Sequence, residues 1–241
     1  MLPVAWKPVS SGNLERLGSA ADGGYVVAGA AVTASRLLIS MGLSDNWDFE
    51  AAFRARTGAR IVCLDHTVTP RFWIKQAVAS VVRLRPRLTR YLAYRRFFSS
   101  TEVQHRKLCV GYDRPGGISL ATLIQEEPAA SVFLKADIEG SEYRILDDIV
   151  RFSDRLTGIA IEFHDIDLHR ARIDALLAGL PNFAVVALAA NNFGGTDSAG
   201  DPLVIEMSIV RREYLADGDM PEMRRPIAND PARAPIEPAF A

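Results

Sequence analysis

The chain has 241 residues, of which 49% are hydrophobic and 24% are charged, a composition typical of a globular protein with a full core. Its 28 basic and 29 acidic side chains leave a net charge of -1, which argues against a general attraction to nucleic acid or anionic membranes. Two unclustered cysteines, with no signal-peptide pattern and no membrane-spanning apolar run, predict a cytoplasmic protein without a disulfide framework or a transmembrane segment.

An accessory segment and one strand–helix–strand unit are predicted in the first 65 residues. Residues 1–35 form the accessory segment, in which Asp22, Gly23 and Gly24 signal a turn. The elements expected here are, in chain order, strands at 25–27 and 36–40, a helix at 47–56 that stops at Gly58, and a strand at 61–64. The last three have the length of a βαβ unit.

A basic helical insertion is predicted at 70–100, between the second and third strands of the domain. Helical spacing extends over 72–98 and is interrupted at Pro86. The insertion places arginines among aromatic residues, namely Arg83, Arg85, Arg87, Arg90, Arg95 and Arg96 among Trp73, Tyr91, Tyr94, Phe97 and Phe98. Such a surface can grip an anionic substrate such as a glycosyl phosphate, lie on lipid or hold RNA, but a solvated charged face is an equally simple explanation.

Strands and helices alternate along the rest of the chain, which predicts an α/β fold whose mostly parallel sheet is covered by helices on both faces. The α/β domain spans 36–216, and the proline-rich segment 217–241 is expected to be a flexible tail. The remaining elements expected are a strand at 107–110, a helix at 119–126 capped by Ser119, a strand from 132, a helix after Gly140, a strand at 158–163, a helix at 168–180, and strands at 183–189 and 203–210.

The central strand, which begins at Val132, ends abruptly on acids and a glycine. Open α/β sheets bind ligands at the carboxyl ends of their strands, so chemistry is expected at this point. An acid that ends a buried strand costs free energy to desolvate unless a partner binds it, and this makes Asp137 the foremost functional candidate. Glu139 and Glu142 fall in the first helical turn, where the positive end of the helix dipole stabilises carboxylates.

Three residues that follow predicted strands indicate a nucleoside site at one edge of the sheet: Gly42, Asp65 and Asp137. A glycine at the first strand-to-helix turn lets the backbone approach a ligand, and an acid after the next strand can accept hydrogen bonds from ribose hydroxyls. Asp65 lies 23 positions after Gly42, near the roughly 20 typical of dinucleotide-binding sites. By itself this fingerprint is weak, because Gly42 stands alone where the motif has three glycines.

Four stretches together resemble the FkbM-type methyltransferases: residues 22–27, 38–50, 134–142 and 161–165. The Lys-x-Asp-x-Glu-Gly-x-Glu run that starts at Lys135 is the most specific of them. The resemblance implies a Rossmann-like class I methyltransferase fold, with a seven-stranded sheet whose last strand is antiparallel. It also implies an S-adenosylmethionine-dependent O-methyltransferase that acts on a hydroxyl of a saccharide or related small metabolite.

Carried over to this chain, the resemblance implies a role for each residue of the edge. Gly42 would face the methionine part of S-adenosylmethionine, Asp65 its ribose, and Asp137 would lie at the reacting end near the substrate. Ser44 is also expected to bind the cofactor. The departure from the family pattern is the single glycine in the turn after the first strand.

A second group of polar residues ends two further strands. Glu162 and His164 lie two positions apart and so project to the same side, while Asn191 and Asn192 end the next strand. With Asp137 they can bind a divalent cation, and Glu162 and His164 are assigned to deprotonation or substrate alignment, with His164 as a ligand or general base. The structural alternative is that His164 caps the following helix and the asparagines form a turn.

Two functions of other kinds stay open beside methyl transfer. A domain that kept the fold but lost the cofactor would be a binding module that docks an anionic ligand, a lipid surface or RNA through the arginine-rich helix. A metal-dependent hydrolase would use the acidic edge instead. Cofactor affinity separates the methyltransferase from both.

Overall fold

The structure is a computed structural model that describes residues 1–20, 22–83, 88–218 and 229–241. Strands and helices alternate along most of this chain. In chain order the elements are β1 (Leu14–Gly18), β2 (Gly24–Ala28), α1 (Gly29–Ala34), β3 (Leu37–Met41), α2 (Asp48–Thr57), β4 (Arg60–Leu64), α3 (Pro70–Arg83), α4 (Leu88–Phe97), β5 (Val103–Arg106), β6 (Cys109–Val110), β7 (Gly117–Ile118), α5 (Leu120–Glu126), β8 (Val132–Ala136), α6 (Leu146–Arg151), β9 (Leu156–Phe163), α7 (Ile166–Ala178), β10 (Phe183–Ala190) and β11 (Ile205–Arg211).

Seven strands of the described chain form one sheet, in the order β10, β11, β9, β8, β3, β4, β5. The strands β3, β4, β5, β8 and β9 are parallel, and β11 is antiparallel to both of its neighbours. The last strand in the chain is therefore the antiparallel one, and the predicted class I methyltransferase fold is confirmed. Because the winding direction reverses between β3 and β8, the crevice for a ligand lies at the carboxyl ends of these strands.

Helices cover both faces of the sheet, as predicted. Leu134 of β8 belongs to a core cluster with residues of α5, α6 and α7. Its neighbour Phe133 points to the opposite face and packs with residues of α1, α2, β1 and β2. There, the rings of Phe49, Phe53 and Phe133 have centroids 5.4 to 6.3 Å apart. Each such buried ring contributes roughly 1.5–3 kcal/mol, so the strands that carry the site are held from both sides.

The third strand along the chain in the seven-stranded sheet is β5, so the prediction that this strand lies at 107–110 was wrong. Only Val103 of the four residues of β5 is buried, and the three residues after it are polar. The strand therefore has no apolar run that would indicate it in the sequence. Cys109–Val110 pairs instead with Gly117–Ile118 in a separate small sheet. The helix expected directly after Gly140 is also displaced, because a 3₁₀ turn at Glu142–Arg144 precedes α6.

Two local signals are confirmed in detail. The backbone of Gly58 has a φ of 66°, which ends α2 in the left-handed conformation that glycine adopts readily. The side chain of Ser119 accepts a hydrogen bond from the amide of Thr122 at 3.1 Å and caps α5.

The segments outside 36–216 lie against the domain where they are described, and the division into segment, domain and tail stays a prediction. In the segment 1–35, β1 and β2 form an antiparallel hairpin. In the tail, Asn229 donates to Glu206 of the domain at 2.7 Å, and Phe240 forms a strand bridge with Leu2 of the segment 1–35. The predicted interruption at Pro86 and residues 219–228 of the tail lie outside the described residues. None of the helices in the described ranges combines the length and the hydropathy needed to cross a bilayer.

Candidate functional site

A cavity of about 350 Å³ opens at the carboxyl ends of β3, β4 and β8. It is lined by the four residues predicted to bind the cofactor, which are Gly42, Ser44, Asp65 and Asp137. The turn of the β1–β2 hairpin and the segment after β5 complete its wall, through Asp22, Gly23, Leu108, Cys109 and Val110. A cavity of this volume can hold a small-molecule ligand. The structure thus brings the sequence-predicted cofactor residues together. We call this space the cofactor cavity.

Gly42 is required by the packing of the turn as well as by the cavity. Its φ is +84°, and a Cβ at this position would overlap the backbone carbonyl oxygen of Asp137. Its amide donates a hydrogen bond to the carbonyl of Leu64 at 3.0 Å. One glycine therefore allows the ends of β3, β4 and β8 to approach one another closely.

Asp65 ties the turn after β3 to the turn after β4. Its Oδ2 accepts hydrogen bonds from the amides of Leu43 (3.0 Å) and Ser44 (2.8 Å), and its Oδ1 accepts from the amide (2.7 Å) and hydroxyl (2.6 Å) of Thr67. Burial alone would raise the pKa of this carboxyl, but these hydrogen bonds outweigh it and hold the pKa below its usual value. Since a carboxylate has about four acceptor sites, a ribose hydroxyl would have to replace one of these bonds to reach Asp65.

Lys135 is a buried cation that lines the cavity. The sequence alone indicated no role for it. Its Nζ donates to the carbonyl of Gly42 at 2.6 Å and lies 4.0 Å from Oδ2 of Asp137. Burial alone would lower the pKa of Lys135, but the carboxylates around it, Asp137 foremost, raise it, so the ammonium stays charged. The signal in the sequence was a lysine within an apolar strand, two positions before the acid on the same face.

Asp137 lies at the end of β8 with a carboxyl group that can take up a proton near neutral pH. Its amide donates to the carbonyl of Met41 at 2.9 Å, and its side chain is 30% exposed to the cavity. Desolvation raises the pKa of Asp137 to about 7, with Lys135 opposing this shift and Glu162 adding to it. A carboxyl in this range accepts and releases protons readily at physiological pH.

His164 is held between two buried carboxylates at the end of β9. Its Nδ1 lies 3.1 Å from Oε1 of Glu142, and its Nε2 lies 3.3 Å from Oε1 of Glu162. Burial alone would lower the pKa of His164, but these two hydrogen bonds raise it to about 11. His164 is therefore an imidazolium at neutral pH, a hydrogen-bond donor with no free lone pair to accept a proton.

Glu142 is not the dipole partner that the sequence indicated. It is fully buried, and its Oε1 accepts a hydrogen bond from the amide of Ile138 at 2.8 Å besides contacting His164. Within the described chain, its Oε2 has no hydrogen-bond partner. The reason is that the turn at Glu142–Arg144 directs this side chain inward, so a long-range contact with β9 replaces the expected helix-end interaction.

Asp137, Glu162 and His164 are the described residues that can hold a metal ion together. Their ligand atoms all lie within 4.8 Å of one another, and such a set suits a divalent cation. A metal would require His164 to give up its proton first. Of the two asparagines, Asn191 contacts this cluster and donates to both oxygens of Glu162 at 3.1 and 3.2 Å. Asn192 donates instead to a backbone carbonyl of the tail at 2.9 Å.

Arg90, on α4 of the basic insertion, fixes the turn that leads into α2. Its guanidinium donates to the carbonyl of Asp45 at 2.8 Å and to side-chain oxygens of Asn46 and Asp48 at 3.3 and 3.2 Å. The same group lies 4.0 Å from the ring centroid of Trp47. Arg90 thus holds in place the turn that borders the cofactor cavity, a role that sequence spacing did not reveal because the two segments are distant along the chain.

The fold is similar to that of several solved methyltransferases. A precorrin-6y C5,15-methyltransferase from Geobacter metallireducens is 13% identical, with 76% of this chain and 84% of that chain covered and a TM-score of 0.41. An rRNA methylase from Streptococcus thermophilus is 11% identical, with 76% and 92% covered and a TM-score of 0.40. TrmK of M. capricolum, in complex with S-adenosyl-homocysteine, is 8% identical, with 78% and 68% covered and a TM-score of 0.41.

No family model matches the sequence, and no curated protein matches it either. Identities and TM-scores this low concern the fold alone. What the site does depends on the residues of the cofactor cavity and of the cluster around His164.

Proposed function

We propose that this chain is an FkbM-type, S-adenosylmethionine-dependent O-methyltransferase that acts on a hydroxyl of a saccharide or related small metabolite. The observation that supports it most is the cofactor cavity, which gathers Gly42, Asp65 and Asp137 at the switch point of the sheet. The motif around Asp137, and its position next to a cluster of titratable groups, support methyl transfer to oxygen in particular. The expected compartment is the cytoplasm, and both cysteines are free thiols.

The residues around the cofactor cavity fit S-adenosylmethionine in size and in charge. The cavity volume of about 350 Å³ is that of a nucleoside-sized ligand site. The carboxylates of Asp65, Asp137 and Glu139 give the cavity a negative potential that complements a sulfonium. Ser44 and Thr67 add polar groups suited to ribose hydroxyls, and Asp65 orders the turn that carries Ser44. When bound, the cofactor supplies an electrophilic methyl group.

Asp137 accepts the proton of the acceptor hydroxyl in this mechanism. Its carboxylate faces the cofactor cavity, and its pKa of about 7 suits a general base. The ammonium of Lys135 stabilises the ionised carboxylate of Asp137 and, through its hydrogen bond to the carbonyl of Gly42, fixes the turn there. His164, held as an imidazolium, donates to Glu142 and Glu162 and so fixes the position of the Glu162 carboxylate.

A divalent cation is the second candidate for activating the hydroxyl. The spacing of Asp137, Glu162 and His164 favours it, because three ligand atoms within 4.8 Å can enclose one ion. The metal would then lower the pKa of a bound hydroxyl in place of a carboxylate base. Loss of methyl transfer in EDTA, with recovery on adding Mg²⁺, would establish this alternative.

The proposal is tested by calorimetry with S-adenosylhomocysteine, followed by methyl transfer to a panel of saccharides. We expect Asp137→Asn to bind S-adenosylhomocysteine within two-fold of wild type while turnover falls about 100-fold, the loss typical of removing a general base. Asp65→Ala should weaken cofactor binding instead. If the folded protein gives no heat with S-adenosylhomocysteine and binds anionic vesicles or RNA, it is a binding module; if it hydrolyses phosphate esters with a metal, it is a hydrolase.

A further inference from the structure

A second cavity, of about 710 Å³, lies between α3, α4 and β5. Four aromatic side chains line it, namely Trp73, Tyr91, Tyr94 and Phe98, and we call it the aromatic groove. The ring centroid of Trp73 is 5.4 Å from that of Tyr91 and 5.0 Å from that of Tyr94, and the centroid of Tyr94 is 4.7 Å from that of Phe98. A continuous wall of rings offers stacking area for a flat aromatic ligand.

Two cations at the rim of the aromatic groove are available to an anion. Arg95 and Lys107 line the groove and are exposed. Among the described residues, neither is ion-paired with a carboxylate; the Arg95 guanidinium donates to the hydroxyl of Tyr91 at 3.5 Å. By contrast, Arg90 and Arg106 nearby are both in ion pairs. Unpaired cations beside aromatic faces are what a phosphate-bearing aromatic ligand requires.

The aromatic groove is joined to the cofactor cavity by one histidine. The backbone carbonyl of Asp65 can only accept, so His105 donates to it through Nε2 at 2.9 Å. Its Nδ1 then accepts the hydroxyl proton of Tyr94 at 2.6 Å. Burial lowers the pKa of His105, which agrees with this neutral tautomer. Within the ring wall, Tyr94 is thereby fixed by a hydrogen bond before any ligand arrives.

We propose that the aromatic groove is a second binding site, for a small nucleotide whose base stacks on Trp73 and Tyr91 while its phosphate is bound by Arg95 and Lys107. A sugar phosphate would leave the four rings unused, and an uncharged aromatic compound would leave both cations without a partner. No residue that lines the aromatic groove also lines the cofactor cavity, so this site is independent of the proposed methyl transfer.

Calorimetry with uridine 5′-monophosphate tests the proposal, with and without saturating S-adenosylhomocysteine so that the cofactor cavity is not the site measured. We expect binding, and at least ten-fold weaker affinity for uridine and for ribose 5-phosphate. Tyr91→Leu and Arg95→Gln should each weaken the nucleotide about ten-fold, the size of one lost stacking contact or one charge-assisted hydrogen bond. Arg96→Gln, the adjacent and exposed residue that does not line the groove, should leave the affinity unchanged.

Three results would overturn this site: no heat with the nucleotide, equal loss in the Arg95 and Arg96 variants, or binding of ribose 5-phosphate as tight as that of the nucleotide. If a decauridylate binds far more tightly than the nucleotide, with steep salt dependence, the ligand of the groove is single-stranded RNA and the small-nucleotide site is wrong. Circular dichroism of each variant verifies folding. Nucleotide binding without any S-adenosylhomocysteine binding would keep this site and reject the proposed methyltransferase.

Discussion

Replacing Asp65 by asparagine should lower the free energy of unfolding by about 2 to 3 kcal/mol at pH 7. An asparagine keeps one acceptor oxygen, which the amides of Leu43 and Ser44 would use, and turns its NH₂ group toward Thr67. The Thr67 hydroxyl can rotate to accept from that group, but the Thr67 amide loses its acceptor. The estimate combines one unsatisfied amide with the loss of charge from the remaining hydrogen bonds.

The stabilisation by Asp65 should depend on pH, in a direction set by the shift of its pKa. The folded-state pKa of Asp65 lies below its unfolded value, so the ionised carboxylate stabilises the fold. That contribution is complete above about pH 4 and is lost as the pH falls through the folded-state pKa. Urea unfolding at pH 7, 5 and 3 should therefore show a difference between wild type and variant that shrinks toward pH 3. Asp113→Asn, at an exposed position, is the control. A variant as stable as wild type at pH 7, or a difference independent of pH, would show that the Asp65 carboxylate does not stabilise the fold.

Three further variants test the site and its supports. Gly42→Ala should destabilise the fold by at least about 3 kcal/mol, because a Cβ there meets a backbone carbonyl. Gly140 has a φ of +90° but lies in open space, so Gly140→Ala should cost only about 1 kcal/mol of backbone strain. Thermal unfolding of both variants measures the difference. Arg90→Ala should weaken S-adenosylhomocysteine about ten-fold in calorimetry by loosening the turn it holds, and Arg96→Ala should not. Burial raises the pKa of Glu206 to about 8, so the stability of wild type relative to Glu206→Gln should fall by a few kcal/mol as the pH rises from about 4 to 8. Parallel pH profiles of the two proteins in denaturant unfolding would contradict this.

The elements that sequence could predict are those whose signal is local. The central strands β3 and β8 are buried on both faces and therefore read as apolar runs, and Gly58 and Ser119 end and begin helices through their own backbone and side-chain chemistry. β5 escaped prediction because it lies at the edge of the sheet, where polar side chains are tolerated.

In the candidate site, too, some features could be predicted from the sequence and others could not. Gly42, Asp65 and Asp137 could be brought together from sequence because the ends of neighbouring parallel strands share one edge. Their partners could not, because each hydrogen bond depends on a contact between distant segments. That Asp65 would bind backbone amides of the turn after β3, and that Glu142 would be buried against His164, follows only from the packing of the whole sheet.

The most direct measurement is a crystal structure of the protein with S-adenosylhomocysteine soaked in. We expect density for the nucleoside in the cofactor cavity, between the turn at Gly42, the loop after Asp65 and the carboxyl group of Asp137. Density at another place, or none in crystals whose cavity is open to solvent and soaked at millimolar concentration, would contradict it.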